Sequence, residues 1–307
     1  MSGTSPLSAF LPLLDLRAKA LRAMRRFFEQ RGFLEVETPV RVETPALELH
    51  IDAIPAGTGW LRTSPELHMK RLLAAGCPKL FQIGPCFRHG ERGRLHNSEF
   101  TLLEWYRTPA DYRDILADAK ALIAAVAGET IGRTWLDIRR RRIEFMPAWE
   151  WMTVSDAFRA FAGWDPVERF DAERFDADLV AKVEPRLPAE CPAVLADYPA
   201  EAAALARRKP DNPRVAERWE LYIGGLEIAN AFSELTDPAE QRARFEACAA
   251  ERRARGRPVY PLDEDFLAAL ESGLPPAGGI ALGVDRLVLL LAGADSLDAV
   301  LPFRDFR

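Results

Sequence analysis

The feature that most constrains the fold is a pair of strand-like segments separated by a polar loop. Residues 80–88 and 99–106 are mostly apolar or aromatic, and residues 89–98 between them are polar and include glycine. Two strands joined by a loop of this kind pair as an antiparallel hairpin. The pattern therefore predicts an antiparallel sheet in this part of the chain.

Other segments carry similar local patterns. Apolar residues recur at three- and four-residue steps through 13–31, which predicts a long amphipathic helix. An alternating strand ended by Pro39 is predicted at 33–40, and a helix within 61–73, with Ser64 as N-cap and Pro65 at its first position. Further helices are predicted at 111–126, 238–255 and 284–291, and strand patterns at 220–235 and 278–283. The result is an α+β fold with one mixed, mainly antiparallel sheet flanked by helices, in a single domain over 1–307.

The composition indicates a soluble globular protein, since 48% of the 307 residues are hydrophobic and 28% are charged. No run approaches the roughly 20 apolar residues of a membrane span. The apolar stretch near the N-terminus precedes its basic residues, which is the wrong order for a secretory signal, so a cytoplasmic location is expected. Four cysteines without a CxxC pair, and four histidines without ligand spacing, predict neither a zinc site nor a disulfide framework.

The net charge of −5 gives little support for binding a large nucleic acid. A broad tRNA-binding surface needs clustered lysine and arginine to neutralise phosphates. Basic residues cluster only locally, at 139–142 and 252–257, and we interpret both clusters as solvated faces.

The first candidate site follows the first predicted strand of the hairpin. Arg88 ends this apolar strand and faces the polar loop. A guanidinium there can bind a phosphate through two parallel hydrogen bonds. On Arg88 alone, a simple surface arginine is the better interpretation.

The second candidate site is the run from 220 to 234. Three carboxylates, Glu220, Glu227 and Glu234, recur at seven-residue intervals among apolar residues, together with Asn230. A buried carboxylate requires a cation or it becomes protonated. Mg²⁺ held against ATP phosphates would supply one, and structural ion pairs explain the spacing equally well.

The third candidate site is the glycine-rich segment 278–283, followed by Asp285 and Arg286. Glycines permit close approach to a nucleotide, and Arg286 is predicted near a helix N-terminus, where anions bind well. Taken alone, a plain strand-to-helix turn is favoured.

Together and in this order, the three sites resemble the signature motifs of class II aminoacyl-tRNA synthetases, and most closely those of lysyl-tRNA synthetases. The helix and strand ending at Pro39 resemble the dimer-forming first motif, so a homodimer is expected. The resemblance covers 13–306 and is weakest at 133–212. It implies a class II catalytic domain.

The resemblance also implies roles in ATP binding. Arg88 would bind the α-phosphate and the charge that develops on it, Arg286 would bind the γ-phosphate, and Phe100 would stack on adenine. Glu220 and Glu227 match the Mg²⁺ carboxylates. The remaining nucleotide-binding positions are His89, Gly90, His96, Asn97, Ile228 and Gly283.

An amine-binding pocket is implied as well. Glu234, Glu104 and Tyr106 match the residues that recognise the amines of a lysine-like substrate, because a cationic group in a semi-buried pocket needs a carboxylate partner. The pocket would be completed by Ser64, Pro65, Glu66, Asn230 and Ala281.

The implied reaction begins when the substrate carboxylate attacks the α-phosphate in line. Pyrophosphate leaves, an aminoacyl adenylate forms, and an acceptor then releases AMP. Because the catalytic pattern begins within the first twenty residues, no anticodon-binding domain is expected. This arrangement resembles the elongation factor P β-lysine ligase family, as do residues 63–72, with Ser64 where the tRNA enzymes tend to have alanine and Ala281 where they usually have glycine.

That resemblance implies activation of (R)-β-lysine, or lysine, with ATP and Mg²⁺, and transfer to a lysine of elongation factor P, with tRNA not expected as a partner. Glu91 departs from the family pattern, since it is displaced by one position from the usual glutamate. Ser98, Ile228 and Ala231 also replace usual residues. Two alternatives are a truncated enzyme that charges a tRNA or carrier, disfavoured by the expected lack of an anticodon domain, and a non-catalytic paralogue, disfavoured by the intact set of charged residues.

Overall fold

The computed structural model describes residues 6–138, 141–146 and 149–304. Its helices are α1 (Leu11–Glu29), α2 (Glu66–Ala74), α3 (Tyr112–Ile131), α4 (Val154–Phe161), α5 (Ala172–Asp178), α6 (Pro238–Ala254), α7 (Glu264–Glu271) and α8 (Val284–Leu291). Its strands are β1 (Leu34–Glu35), β2 (Arg41–Val42), β3 (Pro55–Ala56), β4 (Gly59–Leu61), β5 (Lys79–Phe87), β6 (Glu99–Arg107), β7 (Trp135–Ile138), β8 (Arg141–Glu144), β9 (Glu150–Thr153), β10 (Ala193–Pro199), β11 (Val215–Ile223), β12 (Leu226–Ser233) and β13 (Gly278–Gly283).

The chain divides into two compact units. The first comprises Met1–Thr108, Thr236–Pro275 and Gly283–Arg307, and the second comprises Pro109–Leu235 and Pro276–Leu282. The predicted α+β fold with mainly antiparallel strands is confirmed. A single catalytic domain over 1–307 stays a prediction.

In the first unit, the predicted hairpin is confirmed. β5 pairs antiparallel with β6 along its whole length, and β1 pairs parallel with β5. The predicted first helix is confirmed as α1. Its Phe28 stacks on Phe81 of β5 with ring centroids 4.7 Å apart, and also contacts Trp105 of β6 at 5.1 Å. Burying aromatic rings is a large source of stability, so this contact fixes α1 on the hairpin.

The predicted strand at 33–40 is wrong for most of its length. Only Leu34–Glu35 within it is a strand, and Arg41–Val42 forms a separate strand. Pro39 has no N–H to donate to a ladder. Two nearby carbonyls are bound by one arginine instead: Arg62 Nη1 donates to Thr38 O at 2.8 Å, and Arg62 N donates to Val40 O at 2.9 Å.

Two other predicted elements differ from the structure at their ends. α2 begins at Glu66 instead of Pro65, although the Ser64 hydroxyl accepts the Glu66 N–H at 3.0 Å, as a capping residue does. α3 is longer than predicted. It begins after Asp111, whose side chain caps it, and ends at Ile131, where Gly132 follows with a φ of 71° that suits glycine at a helix C-terminus.

In the second unit, β9 pairs parallel with β10, and β10, β11, β12 and β13 follow in antiparallel order. The strand pattern predicted at 220–235 is a hairpin. It turns at Gly224 and Gly225, which both have positive φ, the conformation that a tight two-residue hairpin turn requires.

The region 133–212 gave few sequence cues, yet it holds its own apolar cluster. Phe158 of α4 stacks on Phe175 of α5 with centroids 4.9 Å apart, and both pack with Leu195 and Tyr198 of β10. Arg139 and Arg140 of the basic run lie outside the described residues. Over the described ranges, no helix combines the length and apolar character needed to cross a membrane.

The interpretation of 252–257 as a solvated face is wrong for Arg252. This side chain is fully buried, and its guanidinium donates to Glu48 O at 2.5 Å and Ile51 O at 2.9 Å, and pairs with Asp52 at 2.5 Å. Arginine can satisfy several buried acceptors at once because it has five N–H donors in a fixed plane. Arg252 therefore ties a loop of the first unit to α6.

Candidate functional site

Arg88 and Phe100 come together in the first unit, as predicted for two residues flanking the hairpin loop. Arg88 N donates to Ser98 O at 2.9 Å, which closes the loop, and the guanidinium carbon lies 5.1 Å from the centre of the Phe100 ring. Its nearest carboxylate is that of Glu91, at 3.6 Å, and both side chains are partly exposed. A partly exposed pair of this length is weak, so the guanidinium can exchange it for a phosphate.

Arg286 lies on the first turn of α8, just after Gly283, which occupies the N-cap position. Its Nη2 is 2.7 Å from His96 Nε2, and its Nε donates to Leu95 O at 3.4 Å. Burial lowers the pKa of His96, and the Arg286 charge lowers it further. The imidazole is therefore neutral at pH 7 and accepts from the guanidinium.

Asp285 fixes the start of α8. Its carboxylate accepts from Arg17 Nη1 of α1 at 2.5 Å and from the Thr101 backbone N–H of β6 at 2.8 Å. Arg17 Nη2 also donates to Thr101 Oγ1 at 2.8 Å. The neighbouring Arg286 is thus held by a helix whose first turn is bound to both α1 and β6.

The loop before β6 is held from the far end of the chain. Arg304 donates to Gly93 O at 2.7 Å and His96 O at 2.6 Å, and pairs with Asp298 at 2.6 Å. It also reaches Asn97 Oδ1 at 3.4 Å. No sequence pattern pointed to Arg304, because the loop residues that it contacts lie about two hundred positions earlier. His89 and Gly90 belong to the same loop, where Gly90 adopts a positive φ.

The predicted amine pocket has a buried carboxylate in the first unit. Glu104 is 1% exposed; Ser64 Oγ donates to its Oε1 at 2.7 Å and Tyr106 OH to its Oε2 at 2.8 Å. Burial raises the pKa of Glu104 to about 7, and the nearby Glu66 carboxylate contributes to the rise. Neutral donors orient this carboxylate without cancelling its charge, so a ligand cation would be stabilised here.

Glu66 is buried near Glu104 and has a cationic partner that sequence reasoning missed. Lys70 Nζ donates to Glu66 Oε1 at 2.5 Å, one helical turn along α2. Pro65 precedes the helix, and its carbonyl accepts the Met69 N–H at 3.1 Å. The four-residue spacing of Glu66 and Lys70 is a visible signal, but it is also typical of exposed helix pairs.

In the second unit, strand register brings the predicted carboxylate run together. Glu220 of β11 is paired with Asn230 of β12, and Asn230 is paired with Ala281 of β13. Glu227 is paired with Tyr222 across a register shift that leaves Ile228 as an extra residue. Paired residues project to the same face of a sheet.

The bulge at Ile228 has a specific consequence for the site. In a regular strand, residues three apart point to opposite faces. The extra residue allows Glu227 and Asn230 to project to the same face as Glu220. Bulges commonly redirect side chains beside functional sites.

Glu220 already has two partners. Arg218 Nη2 donates to its Oε1 at 2.6 Å, and Tyr222 OH donates to its Oε2 at 2.7 Å. Burial raises the pKa of Tyr222, and the Glu220 charge raises it further, so the phenol stays protonated and donates. A metal ion at Glu220 would have to share this carboxylate with Arg218.

Glu227 and Asn230, which project to the same face as Glu220, carry oxygen ligands of the kind that Mg²⁺ requires. Asn230 Oδ1 is buried and has no hydrogen-bond partner in the described part of the chain. Across the same residues, no three His, Cys, Asp or Glu side chains are placed to hold a metal ion by themselves. Mg²⁺ is typically held by one or two carboxylates together with substrate phosphates, and Glu220 and Glu227 fit this mode.

Glu234 lies one residue beyond β12 and is buried, at 1% exposed. Its backbone N–H donates to Ala277 O at 2.8 Å, which ties it to the residue before β13. The adjacent Ser233 hydroxyl accepts the Tyr112 N–H at 2.9 Å. Glu234 therefore lies between the two strands that carry Asn230 and Ala281, bound at the start of β13.

A separate cavity of about 300 Å³ lies elsewhere in the second unit. Asp197 lines it, has an unusual positive φ of 63°, and is bound by Tyr112 OH at 3.0 Å and Lys209 Nζ at 2.6 Å. None of the residues predicted for ATP or amino-acid binding lines this cavity.

Comparison with known proteins identifies the family. The family described as tRNA synthetases class II (D, K and N) matches residues 9–307. The elongation factor P–(R)-β-lysine ligase of Vibrio cholerae serotype O1 is 39% identical over 96% of this chain and 96% of its own length. Proteins of the same name from two strains of Klebsiella pneumoniae are also 39% identical, with the same coverage. The chain therefore belongs to the class II tRNA synthetases, within the family of elongation factor P–(R)-β-lysine ligases.

Proposed function

We propose that this chain is an ATP-dependent ligase that activates (R)-β-lysine, or lysine, as an aminoacyl adenylate and transfers it to a lysine side chain of elongation factor P. The observation that carries the proposal is the buried Glu104 carboxylate, oriented by Ser64 and Tyr106. A buried carboxylate with neutral partners favours a cationic ligand, such as the ammonium of a diamino acid. The relatives that share 39% of its residues are named for this reaction.

The first unit would bind the nucleotide. Arg88 would exchange its weak contact with Glu91 for the α-phosphate, and Phe100 would stack on adenine. Arg286 would leave His96 for the γ-phosphate, since a charge-assisted bond to phosphate is stronger than one to a neutral imidazole. His89, Gly90 and Asn97 would line the nucleotide from the loop that Arg304 supports, and Gly283 would line it from the end of β13.

Oxygen ligands lie on β11 and β12. Glu220 and Glu227 would hold Mg²⁺, which when bound neutralises charge on the triphosphate. Asn230, Glu234 and Ala281 would contact the amino acid, with the Ala281 methyl group shaping the floor of the pocket. Ile228 would act through its bulge, which directs Glu227.

No protein nucleophile is required for the reaction. The substrate carboxylate attacks the α-phosphorus, the bond to pyrophosphate breaks, and the acceptor amine later attacks the acyl carbon and releases AMP. Catalysis then depends on holding the reacting groups in line and stabilising the charge on the α-phosphate, which Arg88 would do. Homodimer formation and a cytoplasmic location stay predictions.

The test is an acceptor assay. Purified protein, ATP, Mg²⁺ and elongation factor P are incubated with (R)-β-lysine or α-lysine, and the acceptor is weighed by mass spectrometry. We expect the mass of one lysyl group to be added, and none with an Arg286→Ala variant. An unmodified acceptor together with aminoacylated tRNA in a parallel reaction would favour the tRNA-charging alternative instead.

A further inference from the structure

A fully buried lysine lies beside the predicted amine pocket. Lys70 is 1% exposed, and its ammonium donates to Glu66, one turn earlier on α2, at 2.5 Å. Lysine is almost never fully buried, because removing an ammonium from water costs more than a single ion pair usually returns. If the Glu66–Lys70 ion pair served only to stabilise α2, it would be equally effective on the solvent-exposed face of the helix. The burial of Lys70 therefore needs another explanation.

Glu66, Lys70 and Glu104 form one electrostatic cluster. The Glu66 charge raises the pKa of Glu104, and the Lys70 charge lowers it. Ser64 links the two residues, because its hydroxyl accepts the Glu66 backbone N–H at 3.0 Å and donates to the Glu104 carboxylate at 2.7 Å. With all three groups ionised, two carboxylates and one ammonium leave one net negative charge.

Several elements surround this cluster. Polar or titratable groups near Glu104 are Gln82 and Cys86 on β5, Tyr106 on β6 and Ser64 before α2, and Arg62 lies beside Cys86. Burial raises the pKa of the Cys86 thiol to about 12, so it stays neutral. On α7, Asp265 pairs with Arg71 of α2 at 3.1 Å. Lys70 thus supplies a buried positive charge directly to the carboxylate pair.

We propose that Lys70 is a positioning residue for amino-acid recognition. Lys70 neutralises Glu66 before the substrate binds, so the empty pocket does not hold two unpaired carboxylates. Glu104 is then left to bind one ammonium of a diamino acid. The pocket then accepts one additional positive charge. This inference rests on the proposed function, because it takes the ligand to be a diamino acid.

Calorimetric titration of (R)-β-lysine between pH 6 and 9 tests the inference without requiring catalysis. Because the Lys70 charge lowers the pKa of Glu104, Lys70→Met should raise that pKa above about 7. A larger share of the empty Lys70→Met pockets would then hold a proton at pH 7 that the substrate must displace. We expect Lys70→Met to bind about tenfold or more weakly than the wild type at pH 7, and the deficit to narrow towards pH 9. Lys70→Arg should keep most of the affinity for (R)-β-lysine. ATP binding should be unchanged in both Lys70 variants.

Two further variants control this experiment. Lys209→Met removes a lysine that pairs with Asp197 at the similar distance of 2.6 Å, in the second unit, and should leave (R)-β-lysine binding unchanged. Should Lys70→Met fail to fold, Glu66→Gln provides the opposite change. Because the Glu66 charge raises the pKa of Glu104, this variant should move the midpoint of the pH dependence downward.

The outcomes separate the two proposals. A Lys70→Met defect of the same size at every pH, or accompanied by an equal loss of ATP binding, would overturn the positioning role alone. If the midpoint of the pH dependence of (R)-β-lysine binding is the same in Glu66→Gln as in the wild type, the positioning role is likewise overturned. A wild type that binds no diamino acid at any pH would contradict the proposed function, and this inference with it.

Discussion

Two buried glutamates, one in each unit, share a local arrangement and differ in one partner. Glu104 and Glu220 each accept a hydrogen bond from the tyrosine two residues later on the same strand, at 2.8 and 2.7 Å. The other oxygen of Glu104 is bound by the Ser64 hydroxyl, whereas that of Glu220 is bound by the Arg218 guanidinium at 2.6 Å.

The difference decides what each carboxylate can do. A hydroxyl orients Glu104 but leaves its charge uncompensated, so burial raises its pKa to about 7 and a cationic ligand is favoured. A guanidinium compensates the charge of Glu220 before any ligand arrives. The same Glu-X-Tyr pattern therefore gives a carboxylate oriented by two hydroxyls in one unit and a carboxylate paired with a guanidinium in the other.

The largest expected effect comes from Glu104→Gln, which keeps the shape of the site and removes its charge. We expect the amino-acid KM in pyrophosphate exchange to rise about a thousandfold, because leaving a buried ammonium unpaired costs about 4 kcal/mol. The KM for ATP should be unchanged. Glu217→Gln, which removes a buried carboxylate paired with Arg207, is the control and should leave both KM values unchanged. Equal effects of the two variants would break the comparison.

The next effect is on the stability of the ligand-free protein. The folded-state pKa of Glu104 is raised from 4.5 to about 7, so its stabilising contribution is present below pH 4.5 and is lost as pH rises to 7. Between these pH values, the wild type should lose about 3 kcal/mol of unfolding free energy that Glu104→Gln retains. Urea unfolding of both proteins across this range measures the difference. Parallel stability curves would mean that Glu104 titrates at its ordinary pKa.

A smaller effect, on the Mg²⁺ requirement instead of the amino-acid KM, is expected from Glu220→Gln. Losing a carboxylate that holds Mg²⁺ should raise the Mg²⁺ concentration for half-maximal exchange by about thirtyfold, or roughly 2 kcal/mol. This effect is smaller than that of Glu104→Gln because Arg218 already compensates part of the Glu220 charge. The amino-acid KM should stay the same. An altered amino-acid KM with a normal Mg²⁺ requirement would place Glu220 in the amine pocket and contradict our assignment.

The smallest effects should come from the two tyrosines. Tyr106→Phe and Tyr222→Phe each remove one hydrogen bond to a carboxylate, and we expect a change of about fivefold, or roughly 1 kcal/mol. The change should appear in the amino-acid KM for Tyr106→Phe and in the Mg²⁺ requirement for Tyr222→Phe. Steady-state exchange assays, in which the amino acid and Mg²⁺ are titrated separately, would sharpen the comparison. A change in the amino-acid KM in both variants, or in the Mg²⁺ requirement in both, would weaken it.

Local sequence patterns predicted much of this arrangement. The hairpin that holds Arg88 and Phe100, and the strand and helix that hold Gly283 and Arg286, follow from periodicity and glycine placement within short segments. The strand predicted at 33–40 failed, because alternation there competes with Pro39 and with carbonyls that bind Arg62.

Other features of the site depend on distant residues or on a single inserted position. Arg304 contacts a loop about two hundred positions away, which no local pattern reports. The bulge at Ile228 places Glu227 and Asn230 on one face, against the alternation that their spacing predicts. Lys70 has the spacing of an ordinary exposed helix pair, and only the packing of α2 reveals that it is buried.

The most direct test of the account removes the charge from the substrate and from the protein in turn. The wild type and Glu104→Gln are assayed in pyrophosphate exchange with (R)-β-lysine, 3-aminohexanoate and 6-aminohexanoate. Each of the last two compounds keeps one of the two ammonium groups of (R)-β-lysine. We predict that the wild type prefers (R)-β-lysine over both analogues by about a hundredfold or more, and that Glu104→Gln reduces one of these preferences to less than about tenfold. Identical preferences in the two proteins would contradict the claim that the Glu104 carboxylate recognises a substrate ammonium.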